Sequence, residues 1–249
     1  MILRQYLDTE PVVAASYLIG CGGKGVGAVV DPVESLDPYL RDAERFGLSI
    51  RYVIDTHVHA DHRSGGRALA EAADAAYVLF ADSGATYAFE GVADGAVLTM
   101  GNVSVRTVHT PGHTPEHISL LVTDRTRGPE PWMLLSGHTL MVGDMGRTEL
   151  GTTAEEGARA MFATAERLRA LPDYVEVLPG AFSGSVCGRG LSGKVSSTIG
   201  FERRYNRAFS ITDEETFVRM MVEDTPPPPL GFAEIRAENL GMSAAALRR

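Results

Sequence analysis

An α/β fold is what the sequence predicts, and three observations lead to it. Short apolar and β-branched runs alternate with stretches whose apolar residues repeat at helical spacing. The chain has 249 residues, which is enough to bury a large core. Its 44% apolar and 22% charged content is ordinary for a globular protein. We therefore expect one domain over residues 1–249, with a C-terminal extension after a proline run at residues 226–229.

The first 80 residues carry most of this alternation. Apolar runs predict strands at residues 16–20, 27–31, 51–55 and 76–80. Helix-like stretches lie between these strands, at residues 35–46 and 66–73. Such interleaving is typical of an α/β fold.

The middle of the chain favours strands. Between residues 96 and 124 the pattern is strand, turn, strand, with Gly101 and Asn102 as the tight turn and Pro111 and Gly112 opening a loop. Further short strands are predicted at residues 132–136 and 175–178.

Residues 153–171 predict a helix. Apolar residues recur on one face of that helix, at Ala154, Ala158, Met161, Ala165 and Leu168. Thr153 and Glu156 have the spacing of a capping box, in which each side chain bonds the other's backbone N–H.

The chain after residue 178 has less regular patterning. Residues 179–194 are glycine-rich and aperiodic, and a loop of that length usually has a function. The prolines at residues 226–229 exclude a helix and indicate a short polyproline spacer. Residues 231–249 then predict a terminal helix packed on the domain.

Charge and composition narrow the partners to small molecules. The formal net charge of −9 disfavours nucleic acid and anionic membrane surfaces, since both are themselves negative. The sequence shows neither an apolar run of membrane-spanning length nor a secretory signal, so we expect a cytoplasmic protein. Cys21 and Cys187 are too few for a disulfide framework and have no CxxC spacing.

All seven histidines fall between residues 57 and 138. Three of them lie in the segment HVHADH at residues 57–62, directly after a predicted strand, where α/β sheets form ligand sites. His57 and His59 point to the same side of an extended segment, whereas Asp61 and His62 turn toward a second point. Such donors suit zinc, iron or manganese; the alternative is a chance cluster of surface histidines.

The other histidines differ in their fitness as ligands. His113 follows a Pro-Gly turn and is well placed to bind a metal. His109 and His117 fit strand packing or orientation of the ligands better than direct coordination. His138 follows the predicted strand at residues 132–136, and its alternative role is that of a hydrogen-bonded core histidine.

These motifs resemble a known family. The HxHxDH segment, HTPGHT at 109–114, VGDMGRTEL at 142–150 and GSVCGRGLSGKVSSTIGFERR at 184–204 are similar to the glyoxalase II and persulfide dioxygenase branch of the metallo-β-lactamase superfamily. The last stretch resembles dioxygenase domains that are often fused to a rhodanese domain, which does not follow in this sequence. The resemblance implies a metallo-β-lactamase αββα sandwich with the metal at one edge, between two sheets.

The resemblance also implies a ligand set. In persulfide dioxygenases one Fe(II) is bound by the first histidine of HxHxDH, the histidine of the PGH turn and a TGD aspartate. His57 and His113 match the first two positions, but His138 stands where the aspartate is expected. Ala181 replaces a histidine of the dinuclear hydrolases. We therefore expect one Fe(II) per chain, with Zn(II) as the alternative, and no second metal held only by His59, Asp61 and His62.

The leading hypothesis is an oxygenase that converts a small thiol persulfide to sulfite and a thiol. Arg147, Arg189 and Lys194 are candidates for binding anionic groups of the substrate, unless they are ordinary surface charges. The alternative is a zinc hydrolase similar to glyoxalase II that cuts a thioester. In that enzyme Asp61 is the catalytic residue, which orients the water or accepts its proton.

A third hypothesis is a repurposed or non-catalytic relative, because two usual ligand positions differ. Against it, the HxHxDH residues and His113 are all present.

Cys187 is either a persulfide carrier near the site or a buried structural thiol. The resemblance further implies a homodimer.

Overall fold

Two six-stranded sheets face each other and enclose a hydrophobic core. The computed structural model describes residues 1–223, 225, 227–228 and 230–242. Helices pack on the outer face of each sheet, so the layers run helix, sheet, sheet, helix. This arrangement confirms the predicted α/β class and the αββα sandwich.

The first sheet takes its strands in chain order. They are β1 (Ile2–Asp8), β2 (Ala14–Cys21), β3 (Val26–Val30), β4 (Ser49–Ile54), β5 (Ala76–Phe80) and β6 (Glu90–Val92). β1 to β3 pair antiparallel, whereas β3 to β6 pair parallel. Parallel neighbours need a crossover, and the helices α1 (Asp37–Arg45) and α2 (Gly66–Ala72) provide two of them.

The second sheet has the order β12-β11-β10-β9-β8-β7. Its strands are β7 (Val97–Met100), β8 (Val103–His109), β9 (Ile118–Asp124), β10 (Met133–Gly137), β11 (Glu176–Pro179) and β12 (Ser197–Thr198). Only β10 and β11 pair parallel within it, and α3 (Ala154–Arg169) crosses between them. The helices α4 (Ile199–Tyr205), α5 (Glu214–Glu223) and α6 (Phe232–Asn239) follow.

β2 shows why the sequence has continuous apolar runs. All eight of its residues are buried. Tyr17 and Ile19 pack between the sheets, whereas Leu18 packs among residues of α1 and α2 on the outer face. Because side chains alternate along a strand, a strand between two apolar layers must be apolar on both faces.

α3 confirms the helix predicted at residues 153–171. Thr153 accepts a hydrogen bond from the Glu156 backbone N–H at 3.3 Å, and the Glu156 carboxylate accepts one from the Thr153 N–H at 3.4 Å, so the capping box is present. Met161, Ala165 and Leu168 pack in the core beneath the helix. α3 has 16 residues. No helix in the described part of the chain is long and apolar enough to cross a membrane.

The other predicted elements are present with bounds shifted by a few residues, and the strand at residues 76–80 has the predicted bounds. The sequence did not predict β1, β6, β12, α4 or α5. β6 and β12 have three and two residues, too few to show a period. β1 lies at the sheet edge and mixes apolar with polar residues, which weakens its pattern.

α6 lies inside the predicted terminal helix and ends at Asn239. Residues 240–242 do not continue the predicted helix, and residues 243–249 lie outside the described residues. Pro226 and Pro229 lie outside them too, so the predicted polyproline spacer is not described.

Candidate metal centre

The candidate site lies where loops from both sheets meet at one edge of the sandwich. Residues 55–62 follow β4, residues 110–117 join β8 to β9, and His138 follows β10. A backbone hydrogen bond of 2.8 Å from Ile118 N–H to Thr56 O links the two sheets here. The HVHADH segment therefore occupies a strand end, where α/β folds form ligand sites.

Gly137 makes the turn that carries His138 into the site. Its φ of 51° lies in the left-handed region. A Cβ at this position would lie 2.5 Å from His117 Nε2 and 2.6 Å from Thr56 Oγ1, so a larger residue would collide with both. The backbone N–H of His138 donates to His117 Nε2 at 3.1 Å, which fixes the start of the loop.

His57, His113 and His138 converge, and we call them the histidine trio. Their donor atoms lie within 4.8 Å of one another, and all three residues are buried. Nε2 of His57 and both ring nitrogens of His138 have no hydrogen-bond partner among the described residues. Buried nitrogens without partners are costly. This donor set, with its unpartnered nitrogens, fits a divalent transition metal.

Hydrogen bonds on the opposite side of the rings orient this trio. His113 donates from Nδ1 to the carbonyl of Arg147 at 2.8 Å, so Nε2 is the nitrogen left for a metal. His57 Nδ1 lies 3.0 Å from the hydroxyl of Thr56. Partners of this kind hold an imidazole in the tautomer and orientation that binding requires.

Burial keeps the histidine trio in its neutral form. Burial and the surrounding imidazoles lower the pKa of His57 well below its usual value. Burial and His138 lower the pKa of His113 to about 3. Burial also lowers the pKa of His138, although the nearby Asp61 carboxylate opposes this effect. Neutral imidazole is the form that binds metals.

His59, Asp61 and His62 form a second group, which we call the mixed trio. Their donor atoms also lie within 4.8 Å of one another. His59 Nδ1, Asp61 Oδ2 and His62 Nε2 have no hydrogen-bond partner among the described residues. From their two-residue spacing, His57 and His59 were expected on the same side, apart from Asp61 and His62. The structure instead groups His59 with Asp61 and His62, and His57 with two histidines of other loops.

Asp31, at the end of β3, organises the loop that carries both trios. It accepts hydrogen bonds from the Thr56 backbone N–H at 2.7 Å and from His59 Nε2 at 3.2 Å. Burial opposes a charged His59, but its contacts with Asp31 and Asp61 outweigh burial and raise its pKa well above the usual value. Burial likewise opposes a charged Asp61, but His62 and His59 lower its pKa well below the usual value.

His109 and His117 have partners other than a metal. His117 accepts from His138 N–H at Nε2, and its Nδ1 lies 2.9 Å from the Thr110 hydroxyl. His109 Nε2 donates to the carbonyl of Pro115 at 2.8 Å, and its ring stacks on Phe80 at 4.2 Å. These contacts agree with the predicted roles of His109 and His117 in packing and in orienting other residues, rather than in binding a metal directly.

Cys187 and Ala181 lie beside the same cluster. Cys187 is buried, and its sulfur lies within 4.8 Å of donor atoms of Asp61 and His138. Burial and the Asp61 carboxylate raise the pKa of Cys187 well above its usual value, which favours the thiol over the thiolate. Gly180 packs against the His138 ring. Ala181 is the next residue, and its side chain has no atom that could bind a metal.

The three cations predicted to bind substrate have partners within the protein. Arg189 forms a buried ion pair with Asp144, at 2.8 and 3.0 Å. Arg147 contacts the carboxylate of Glu149 and donates to the carbonyl of Val186 at 3.0 Å. Lys194 is exposed and donates to the carbonyl of Ser196 at 2.6 Å. Their role in substrate binding stays a prediction.

α6 packs against residues 57–62, which we call the metal-binding loop, from outside the sandwich. The Asn239 side-chain amide donates to the carbonyls of His59 and His62, both at 2.8 Å. Arg236 donates to the carbonyl of Val58 and pairs with the buried Glu116 at 3.1 Å. The sequence analysis missed these residues because nothing local marks a helix near the end of the chain as a partner of residues 58–62.

A cleft of about 350 Å³ opens next to the mixed trio. Asp61 and His62 lie at its wall. The rest of the lining comes from the end of β1, the β1–β2 loop, the segments after β3 and β4, and α6: Asp8, Glu10, Pro11, Val12, Val33, Glu34, Ser35, Arg63 and Ile235. Arg147, Arg189 and Lys194 are not among these lining residues.

Comparisons with known proteins agree with this architecture. The sequence profile of the metallo-beta-lactamase superfamily matches residues 9–180. A hydroxyacylglutathione hydrolase of Rhodospirillum rubrum is 30% identical over 182 residues, which cover 70% of this chain and 66% of the hydrolase, just under two thirds. The mitochondrial persulfide dioxygenase ETHE1 of Bos taurus is 25% identical over 232 residues, covering 92% of this chain and 84% of the relative.

Solved structures extend the agreement to the whole fold. A metallo-beta-lactamase from Staphylococcus aureus subsp. aureus COL superposes with a TM-score of 0.90 at 36% identity, covering 97% of this chain and 73% of that protein. ETHE1 from Myxococcus xanthus superposes with a TM-score of 0.82 at 30% identity, covering 98% of this chain and 100% of that protein. These matches confirm the resemblance that the motifs predicted.

Replacing Asn239 with alanine tests the contact between α6 and the metal-binding loop. The change leaves two carbonyls of the loop without donors, so we expect metal affinity to fall roughly 10- to 100-fold, as for other residues that orient ligands. Competition with a chromogenic chelator measures the affinity, and thermal unfolding checks the fold. The control is Glu234→Ala, an exposed position of the same helix. Equal affinities in the two variants would contradict the role.

Replacing Arg189 with alanine tests the buried ion pair. Asp144 would be left charged and buried without its partner, so we expect a loss of about 3–5 kcal/mol in the free energy of unfolding. Arg159→Ala removes an exposed arginine that pairs with glutamates, and we expect a much smaller loss, because water screens an exposed ion pair. Urea unfolding followed by Trp132 fluorescence measures both, and similar losses would show that burial of the pair is unimportant.

Proposed function

Because the chain belongs to the metallo-β-lactamase superfamily, we propose that it is a mononuclear metal-dependent oxygenase of the persulfide dioxygenase type. The proposed substrate is a small thiol persulfide, and the proposed metal is one Fe(II) per chain. The histidine trio carries the proposal, since it offers three converging imidazoles as a metal face. The similarity to a persulfide dioxygenase over 92% of the chain supports the same reaction.

Bound Fe(II) would supply the redox chemistry that takes a persulfide, O2 and water to sulfite, a thiol and protons. The protein's own residues position the reactants. The Arg147 carbonyl and the Thr56 hydroxyl orient two imidazoles of the trio. Asp61 keeps Oδ2 unpartnered at the wall of the cleft, where it accepts a hydrogen bond from the S–H of the substrate or from water.

The charges at the site favour one metal over two. The histidine trio contributes no charge, and Asp61 is the one carboxylate of the two trios. Two divalent ions would bring four positive charges into a buried site with little compensation, which desolvation opposes. Asp31 is nearby, but it bonds Thr56 and His59. A single ion at the histidine trio brings only two positive charges and therefore needs much less negative charge around it.

A zinc-dependent thioester hydrolase similar to glyoxalase II is the second candidate. The mixed trio favours it, because three more unpartnered donors would accept a second ion. The 30% identity to a hydroxyacylglutathione hydrolase points the same way. In this enzyme Asp61 would orient the attacking water, which a metal activates by lowering its pKa to about 7.

Metal analysis and oxygen uptake decide between the two candidates. The protein is purified without oxygen, its iron and zinc are quantified, and O2 consumption is followed with persulfides of glutathione and of cysteamine. The oxygenase predicts about one iron per chain and O2 uptake with sulfite formation. Zinc without O2 uptake, together with hydrolysis of a glutathione thioester, would replace it with the hydrolase. Absence of both activities would favour a relative that has lost the chemistry.

His138 is the ligand position that departs from the family pattern, so its variants test the histidine trio. We expect His138→Ala to lower metal affinity at least about tenfold, because one of three donors is lost. His138→Asp, which supplies a carboxylate oxygen instead, should retain the metal. His109→Gln, at a histidine hydrogen-bonded to a loop carbonyl, serves as the control. Unchanged metal content and activity in His138→Ala would remove His138 from the ligand set.

Cys187→Ser tests whether the thiol takes part in turnover. The buried thiol is held protonated, so we expect the variant to keep its metal and to lose less than about threefold in kcat. Cys21→Ser, at the other buried cysteine, is the control. A loss of activity confined to Cys187→Ser, with metal content intact, would instead make Cys187 a sulfur carrier.

The cytoplasmic location and the homodimer stay predictions from the sequence.

A further inference from the structure

The cleft beside the mixed trio is lined by two residues of that trio. Its wall includes Asp61 and His62, which are almost completely buried. Asp61 Oδ2 and His62 Nε2 have no hydrogen-bond partner among the described residues. A molecule that enters the cleft therefore comes against the residues that carry these donor atoms. At about 350 Å³ the cleft lies at the small end of ligand sites.

The outer part of this cleft carries negative charge. Asp8 is the last residue of β1, Glu10 lies in the β1–β2 loop, and Glu34 comes from the segment after β3. The lining also includes apolar side chains, among them Val12 and Ile235. Apolar walls concentrate the field of the charges that line a cleft.

The cations near the cleft are already paired. Arg63 is the one cation among the described lining residues, and its guanidinium donates to both carboxylate oxygens of Glu238 at 2.5 and 3.3 Å. Arg236 of α6 does not line the cleft and pairs with Glu116. Arg189 is paired with Asp144 and is not among the residues that line the cleft. The described lining thus offers no unpaired cation to a carboxylate of a substrate.

We propose that the substrate carries a cationic group, such as an ammonium, at the end opposite its reactive sulfur, so that a small aminothiol derivative is preferred over a thiol of net negative charge such as glutathione, which has two carboxylates and one ammonium. This inference rests on the proposed function for the sulfur end. The sulfur lies toward Asp61 and the trios, and the ammonium lies between Asp8, Glu10 and Glu34. An anionic end would meet like charges at the same place.

Three thiols of matched length test the proposal without turnover. Cysteamine, 2-mercaptoethanol and 3-mercaptopropionate differ mainly in a terminal ammonium, hydroxyl or carboxylate. Calorimetric titration into the metal-loaded protein at low salt should give affinities in that order, with cysteamine about tenfold tighter than 3-mercaptopropionate. The difference should shrink as salt is raised, because the carboxylates are partly exposed to solvent.

The triple variant Asp8→Asn, Glu10→Gln, Glu34→Gln should bring the three affinities close together. Glu90→Gln is the control, since Glu90 is exposed on β6 at the opposite edge of the sheet from β1. Equal or tighter binding of 3-mercaptopropionate, a preference that survives in the triple variant, or no detectable binding of cysteamine would each overturn the proposal.

Oxygen uptake with the corresponding persulfides separates this proposal from the proposed function. The predicted order of affinities without O2 uptake would keep the cationic substrate and remove the oxygenase. O2 uptake with equal affinities for the three thiols would keep the oxygenase and remove the cationic substrate.

Discussion

Six metal-binding side chains lie together at one edge of the sandwich, and nearly all of them turn unpartnered donor atoms inward. Such atoms are costly to bury, so the surrounding chain has to hold them together against repulsion and lost hydration. It does this from the outer side of the rings, through Thr56 for His57, Asp31 for His59 and the Arg147 carbonyl for His113. These bonds leave the inner nitrogens for a metal.

The segments around this edge act as supports. Glu202 of α4 accepts a hydrogen bond from the Gly143 N–H at 2.9 Å, and Asn206 donates one to the carbonyl of Met141 at 3.0 Å. Both bonds hold the loop after His138 in place. The ion pair of Arg189 with Asp144 ties residues 184–191 to the same loop. The C-terminal motifs that resemble persulfide dioxygenases therefore have a structural role beside the metal centre, whatever they contribute to substrate binding.

Electrostatics divides the site into three zones with different tasks. The histidine trio is neutral, because burial and mutual repulsion remove its protons. The mixed trio and Asp31 hold opposite charges in contact, with His59 between two carboxylates. The outer cleft is acidic. One short segment, residues 57–63, contributes residues to all three zones.

The sequence by itself determined the α/β class and the capped helix α3, and it marked the HVHADH segment as a candidate metal site, because period, capping and donor density are local properties. It also identified His113 and His138 as candidates. Only the tertiary structure divided the donors into two trios, since strand ends far apart in the chain meet at one edge. It alone showed that Asn239 and Arg236 hold the loop and that Arg189 is bound to Asp144. Charge pairs and clefts depend on which distant residues become neighbours, and no local pattern records that.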